Sequence, residues 1–178
     1  MAKAGSEAAK LERDLGELID SLDLEDRQNQ FMRSRWLDQV LWLERAADRS
    51  RRPYYALRLV TVLGAAVIPA LLSLNLTGTA ETSVKWVTFA ISLLVAATAA
   101  TDGFLHFGTR WRHYRGAAER LKSEGWSFAQ LSGYYHRPGA SHQDVFPDFV
   151  GRVEQAVGQE VEEYIEGVAA EAGAKQQG

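Results

Sequence analysis

LVTVLGAAVIPALLSLNL, residues 59–76, and WVTFAISLLVAATAAT, residues 86–101, decide the reading of this chain. Neither stretch contains a charged residue, and only residues 77–85 separate them. A helix in water keeps a polar face, and these segments lack one. At 1.5 Å per residue, about 20 helical residues cross the roughly 30 Å hydrocarbon layer of a bilayer. The expectation is an all-α membrane protein: a two-transmembrane helical hairpin within residues 53–107, with spans near 56–76 and 85–106. Cytoplasmic amphipathic helices are expected before it, in residues 1–52, and after it, in residues 108–171. Residues 172–178 read as a disordered tail.

Bulk composition hides this pattern, because a mean hydropathy of −0.23 and 24% charged residues resemble an ordinary soluble domain. The charge is segregated along the chain. Residues 1–30 carry four basic and eight acidic side chains, and residues 31–58 carry seven and three. Residues 102–122 carry five basic and two acidic side chains, and residues 123–178 carry three and nine. Basic blocks therefore flank both spans. Arg51, Arg52 and Arg58 precede the first, and Arg110, Arg112 and Arg115 follow the second. Basic residues close to a span stay on the cytoplasmic side, which puts both termini in the cytoplasm and the 77–85 turn outside. Aromatic residues mark the boundaries: Tyr54 and Tyr55 at one inner edge, Phe107 and Trp111 at the other, Trp86 at the outer edge. The first span begins too far into the chain to be a signal peptide. A chain without cysteine suits a cytoplasmic bulk that needs no disulfides.

The polar parts read as helices. Leu11, Leu15, Leu18 and Leu22 form a heptad-like seam, and Phe31, Met32, Trp36, Val40 and Leu43 form an apolar stripe that runs toward the membrane. Pro53 is expected either to kink that helix or to open the first span. After the second span the helical pattern continues from Gly108 to Lys122. Gly125, Gly133 and the Arg137-Pro138-Gly139 cluster are expected to break the chain into a connector. A last helix is expected from near Pro147, with Phe146, Phe149, Val150, Val153 and Val157 on one stripe and acidic residues crowding its far half. That stripe needs a partner, within the chain or across subunits.

Trp111, Tyr114 and Arg115, followed by Ala118-Glu119, Leu121-Lys122, Glu124 and Trp126, form a W-x-x-Y-R-x-x-A-E-x-L-K-x-E-x-W string. It continues through Gly133-Tyr134-Tyr135 to Phe146, Phe149 and Arg152, and upstream Tyr54-Tyr55-Ala56-Leu57-Arg58 leads into a span containing Ile68-Pro69. Together these resemble the SLATT family of bacterial two-transmembrane proteins, over roughly residues 35–168. The resemblance implies a membrane effector that forms pores when triggered, in the bacterial plasma membrane. No sensor domain accompanies the spans here.

The residues permit a pore. At 100° per residue, Thr88, Ser92, Val95, Ala99, Asp102 and His106 fall within a sector of about 80° on the second span. A stripe of hydroxyls and small side chains can line water in an oligomer, or can let helices pack closely. Asp102 is the sharper feature, since a carboxylate at the centre of a span costs about 2.5–3.5 kcal/mol, less toward its end. Arg58 and Asp102 each lie twenty-two residues from the hairpin midpoint near Ala80. They could form an ion pair, or Asp102 could ring the inner mouth and attract cations. Pro69 could shape the first span or bend as a gate.

The chain lacks a phosphate-binding glycine loop, a nucleophile elbow and an H-E-x-x-H helix, so no enzymatic activity, cofactor or metal is expected. The basic block beside the second span suits lipid headgroups better than nucleic acid. The expected function is a homo-oligomeric pore or channel for permeant ions. The alternative is a membrane-anchored adaptor whose cytoplasmic bundle binds a signalling partner.

Overall fold

Helices account for nearly all of the computed structural model, which describes residues 2–74, 77–105 and 107–176, with side chains for 7–74, 77–103 and 108–159. There is no strand among the described residues. The order is α1 (Ala2–Asp20), α2 (Asp26–Phe31), a π-helical segment (Met32–Leu37), α3 (Asp38–Leu72), α4 (Thr79–Leu105), α5 (Phe107–Ala129), a 3₁₀ turn (Gly133–Tyr135) and α6 (His142–Gln176). The chain divides into two compact units, residues 1–45 with 114–178, and residues 46–113.

The first unit is built on the apolar stripes. Leu15 and Ile19 of α1, Met32 and Trp36 of the π segment, and Val40 and Leu43 of α3 are almost fully buried. They share one core with Ala118, Leu121 and Phe128 of α5 and Phe149 and Val153 of α6. Each fully buried large side chain contributes about 1.5–3 kcal/mol. The stripe of α6 therefore finds its partner inside the chain as far as Val157.

The π segment has a register function. On an ideal helix the steps Met32 to Trp36 to Val40 would rotate away from a single face, and a wider i→i+5 turn absorbs that drift. All three side chains then stay in the core. Trp36 lies against Gly125, where an added Cβ would fall 2.0 Å from its Cζ2. Its indole Nε1–H donates to the Leu121 carbonyl at 2.9 Å.

Two boundaries differ from the sequence reading. Gly125 does not break the chain: α5 runs through it to Ala129, because the missing side chain is space that Trp36 fills. The last helix starts at His142, not near Pro147. Ser141 and Asp144 cap it reciprocally, the Ser141 N–H donating to Asp144 Oδ2 at 2.8 Å and the Asp144 N–H to Ser141 Oγ at 3.3 Å. Pro147 is accommodated in the second turn. The backbone of α6 stays helical to Gln176, within the stretch read as a disordered tail.

In the second unit α3 continues through both Pro53 and Pro69, and α4 returns beside it. The less exposed positions of this part of α3 include Leu57, Thr61, Gly64, Ile68 and Leu71, spaced four, three, four and three. Those of α4 include Val84, Thr88, Ile91, Val95, Thr98 and Asp102, in the same alternation. This is a heptad-type seam between antiparallel helices. Gly64 allows the closest approach, since a Cβ there would lie 2.2 Å from Val95 Cγ2. Both helices are long and apolar enough to cross a membrane, and only 6% of the most apolar window of each is buried. Leu59, Val62, Leu63, Trp86, Phe89 and Leu93 are all more than half exposed. A soluble core helix would hide such side chains.

Candidate functional site

The hydroxyls of the hairpin bond first to their own helices. Thr88 Oγ1 donates to the Val84 carbonyl and Ser92 Oγ to the Thr88 carbonyl, each at 2.8 Å. Thr101 Oγ1 donates to Ala97 at 2.8 Å, and Thr61 Oγ1 to Leu57 at 2.9 Å. Across the seam, Thr61 Oγ1 lies 3.2 Å from Thr98 Oγ1. An apolar helix tolerates these groups because each donor is satisfied locally, while the oxygen keeps acceptor capacity.

The polar sector of α4 is divided by its neighbour. Thr88 is buried, Ser92 and Val95 are half-buried beside the seam, and Ala99 is exposed. Asp102 is half-buried near the end of α4, and Arg58 is exposed. No ion pair joins Arg58 to Asp102 among the described residues, nor does Asp102 pair with any other described cation. Pro69 is exposed on α3. His106 lies outside the described residues.

An aromatic collar surrounds the first turns of the apolar part of α3. Tyr54 stacks on Trp111 with ring centres 6.4 Å apart and planes 13° from parallel. Tyr55 meets both rings edge-on, at 5.2 Å from Tyr54 and 6.0 Å from Trp111. Gly108 makes room for Tyr54, whose Cε2 would lie 2.6 Å from an added Cβ. The Arg51 guanidinium lies 6.0 Å from the centre of the Tyr55 ring, at the edge of cation–π range. The aromatic belt was legible in sequence, but this clustering was not.

In the first unit the charges are paired. Glu44, largely buried, accepts from Arg115 Nη1 at 2.6 Å and Lys122 Nζ at 2.7 Å. Lys122 also bonds Glu119, which holds the Glu119 carboxyl below the usual carboxylate range. Arg35 forks onto Glu154 at 2.8 and 2.7 Å, a bond that likewise keeps Glu154 low. Glu124 accepts from Tyr135 Oη and from Arg152, whose guanidinium also lies 4.9 Å over the Tyr134 ring. Burial, followed by the bond to Glu124, pushes the Tyr135 phenol above its ordinary value. Beside this network a cavity of about 430 Å³ is lined by Arg120, Ser123, Glu124, Arg152, Gln155 and Gln159. Sequence reading missed these ties, which join residues as far as 119 positions apart. Among the described residues no three His, Asp or Glu side chains converge to hold a metal.

One family model, described as "Protein of unknown function (DUF4231)", matches residues 38–143, which include the hairpin, the collar and Glu44 with both its cations. No curated protein and no solved structure matches the chain.

Proposed function

The chain belongs to the DUF4231 family, and from that premise we propose that it is a homo-oligomeric, pore-forming membrane protein that conducts ions. The two apolar helices with outward-facing side chains support insertion into a bilayer. The net basic flanks support a topology with both termini in the cytoplasm, and the SLATT-like order of spans and W-x-x-Y-R string supports a bacterial plasma membrane.

Asp102 carries the pore reading. It is half-buried near the end of an apolar helix, with no ion-pair partner among the described residues. A carboxylate in that setting needs water or a cation. One hairpin cannot enclose a water path, so several copies must surround it. Asp102 then attracts cations at the inner mouth, while Ser92 offers a hydroxyl acceptor further in and Ala99 keeps the path open; Thr88 is buried in the seam. In this reading His106 would extend the same stripe by one turn, and Pro69 is the place in α3 where a gating bend would form.

The test is cation flux from vesicles containing the purified full chain, under K⁺, Na⁺ and Cl⁻ gradients. Asp102→Asn is expected to lower cation conductance or cation preference with the oligomer intact. Equal flux and preference in the two proteins would refute the assigned role of Asp102. A second reading is a membrane-anchored adaptor with the same hairpin. It is favoured by the open cavity between Arg120 and Gln159, which could receive part of a signalling partner. An inserted oligomer that passes no ion under any gradient would favour that reading.

A further inference from the structure

Six arginines in residues 46–113 stand without an ion pair among the described residues: Arg49, Arg51, Arg52, Arg58, Arg110 and Arg112. In the same unit Lys85 pairs with Glu81 at 2.7 Å, and only Asp48 and Asp102 remain as further acidic groups. In the other unit Arg33, Arg35, Arg45, Arg115, Lys122, Arg137 and Arg152 are paired, whereas Lys10, Arg13, Arg27 and Arg120 have no ion pair among the described residues. Among the described side chains, six of the seven Lys and Arg in residues 46–113 are thus unpaired against four of eleven in the other unit, and all six are arginine. A guanidinium presents a planar fork of donors that fits two oxygens of one phosphate, whereas an ammonium acts as a point charge.

One of the six, Arg51, lies over the aromatic collar. Tyr55 underlies Arg51, and Trp111, which touches both tyrosines, is flanked in sequence by Arg110 and Arg112. Directly along α3 from Tyr55 and Arg58 come the exposed apolar side chains Leu59, Val62 and Leu63. Donor forks, then flat aromatic surface, then exposed aliphatic surface match in order the phosphate, the glycerol interface and the acyl chains of a phospholipid. We propose that this collar, centred on Arg51, Tyr55 and Trp111, is a binding site for the phosphate of anionic phospholipid headgroups. The proposal rests on the membrane reading above and adds a ligand class to it.

The test uses the full chain in vesicles of equal phosphatidylcholine and phosphatidylglycerol, extracted in mild detergent, with retained lipids identified by native mass spectrometry. Phosphatidylglycerol is expected to be retained well above its share in the vesicle. Each of Arg51→Gln, Arg110→Gln and Arg112→Gln is expected to lower that enrichment about fivefold where its fork engages the headgroup. Arg51→Lys keeps the charge and is expected to keep only part of the enrichment. Retention in proportion to vesicle composition would overturn the site, as would full enrichment in the triple glutamine variant or in Arg51→Lys. Alkaline-carbonate extraction from pure phosphatidylcholine vesicles separates the two readings. A chain that stays inserted there but shows no headgroup preference loses only this site. A chain that integrates into neither vesicle loses the membrane reading as well.

Discussion

Gly125→Ala is expected to be among the more damaging single-methyl additions in this chain, against the usual gain from replacing a helical glycine. The new Cβ would lie 2.0 Å from Trp36 Cζ2, 2.7 Å from Cε2 and 2.8 Å from Cη2. Trp36 cannot swing aside freely, because it is fully buried and its N–H is held at 2.9 Å by the Leu121 carbonyl. Overpacking a core of this kind costs about 1–3 kcal/mol. Pulling the indole N–H off its buried acceptor adds about 1–3 kcal/mol. Removing a glycine from the middle of a helix returns about 1 kcal/mol. The balance is a loss of about 1–5 kcal/mol, and its central value of about 3 kcal/mol corresponds to about 6–12 °C in thermal midpoint for a chain of this size. The control is Gly151→Ala in α6, where an added Cβ meets nothing within 4 Å; it is expected to be neutral or to stabilise by up to about 1 kcal/mol. Near-ultraviolet dichroism during heating in one detergent reads both. In a Trp36→Leu background the alanine should cost little, because the colliding ring is gone. Equal midpoints for Gly125→Ala and Gly151→Ala would refute the assignment of Gly125 as the seat of Trp36.

The hairpin seam can be tested by cross-linking, since the chain has no cysteine of its own. Thr61→Cys with Thr98→Cys, replacing hydroxyls 3.2 Å apart, is expected to form an intrachain disulfide under mild oxidant. Adding Gly64→Leu should lower the yield by forcing Val95 away, and a bond formed only between chains would overturn the intrachain register. Tyr135 makes an alkaline prediction. Its pKa is raised in the folded chain above the ordinary 10.0. The stabilisation tied to its proton is therefore complete below about pH 10 and is lost as pH rises from there toward the higher folded value. Denaturation midpoints measured on either side of pH 10 should fall more steeply in the parent than in Tyr135→Phe, and identical slopes would refute a buried, Glu124-bound phenol.

What the sequence made legible follows from periodicity. Leu15, Met32, Trp36, Val40, Leu43, Phe149 and Val153 recur at helical spacing because each helix must turn one stripe to the core, and all of them are buried. The apolar runs are legible because they lack charge altogether. Gly125 was misread as a breaker because glycine has two uses with one local signature: freedom of the backbone, and room for a neighbour. Only the position of Trp36, eighty-nine residues earlier, tells them apart. The π segment was hidden for a related reason, since an added residue in a turn costs little and leaves no distinctive composition. The ties from Glu44, Glu124 and Glu154 were equally hidden, because ion pairs place no constraint on nearby sequence. The polar sector of α4 could be drawn from 100° geometry. Its division between the seam and the open side could not, because that depends on where α3 lies.

The two units are held together by different forces. In the first, an apolar core supplies most of the stability, and the exposed pairs add little individually. Lys122 and Glu44 are the exception, each leaving only 14% of its side chain in contact with solvent. Losing either partner strands a mostly desolvated charge, so this pair fixes the packing of α3 on α5 within that unit more firmly than the rim pairs do. In the second unit the seam is narrow: a glycine, small hydroxyls, β-branched side chains, and among the described residues one hydrogen bond between the helices, Thr61 to Thr98. The apolar area that would hold α3 and α4 in place faces outward. Within a bilayer, neighbouring copies offer packing of the same quality as the intrachain seam, since lipid supplies no hydrophobic force between helices. Exchange of seam contacts between copies therefore costs little free energy, whereas the first unit would have to break its core to rearrange. In the proposed oligomer, assembly and any gating would therefore fall to the hairpin, whose seam is the weaker of the two sets of contacts.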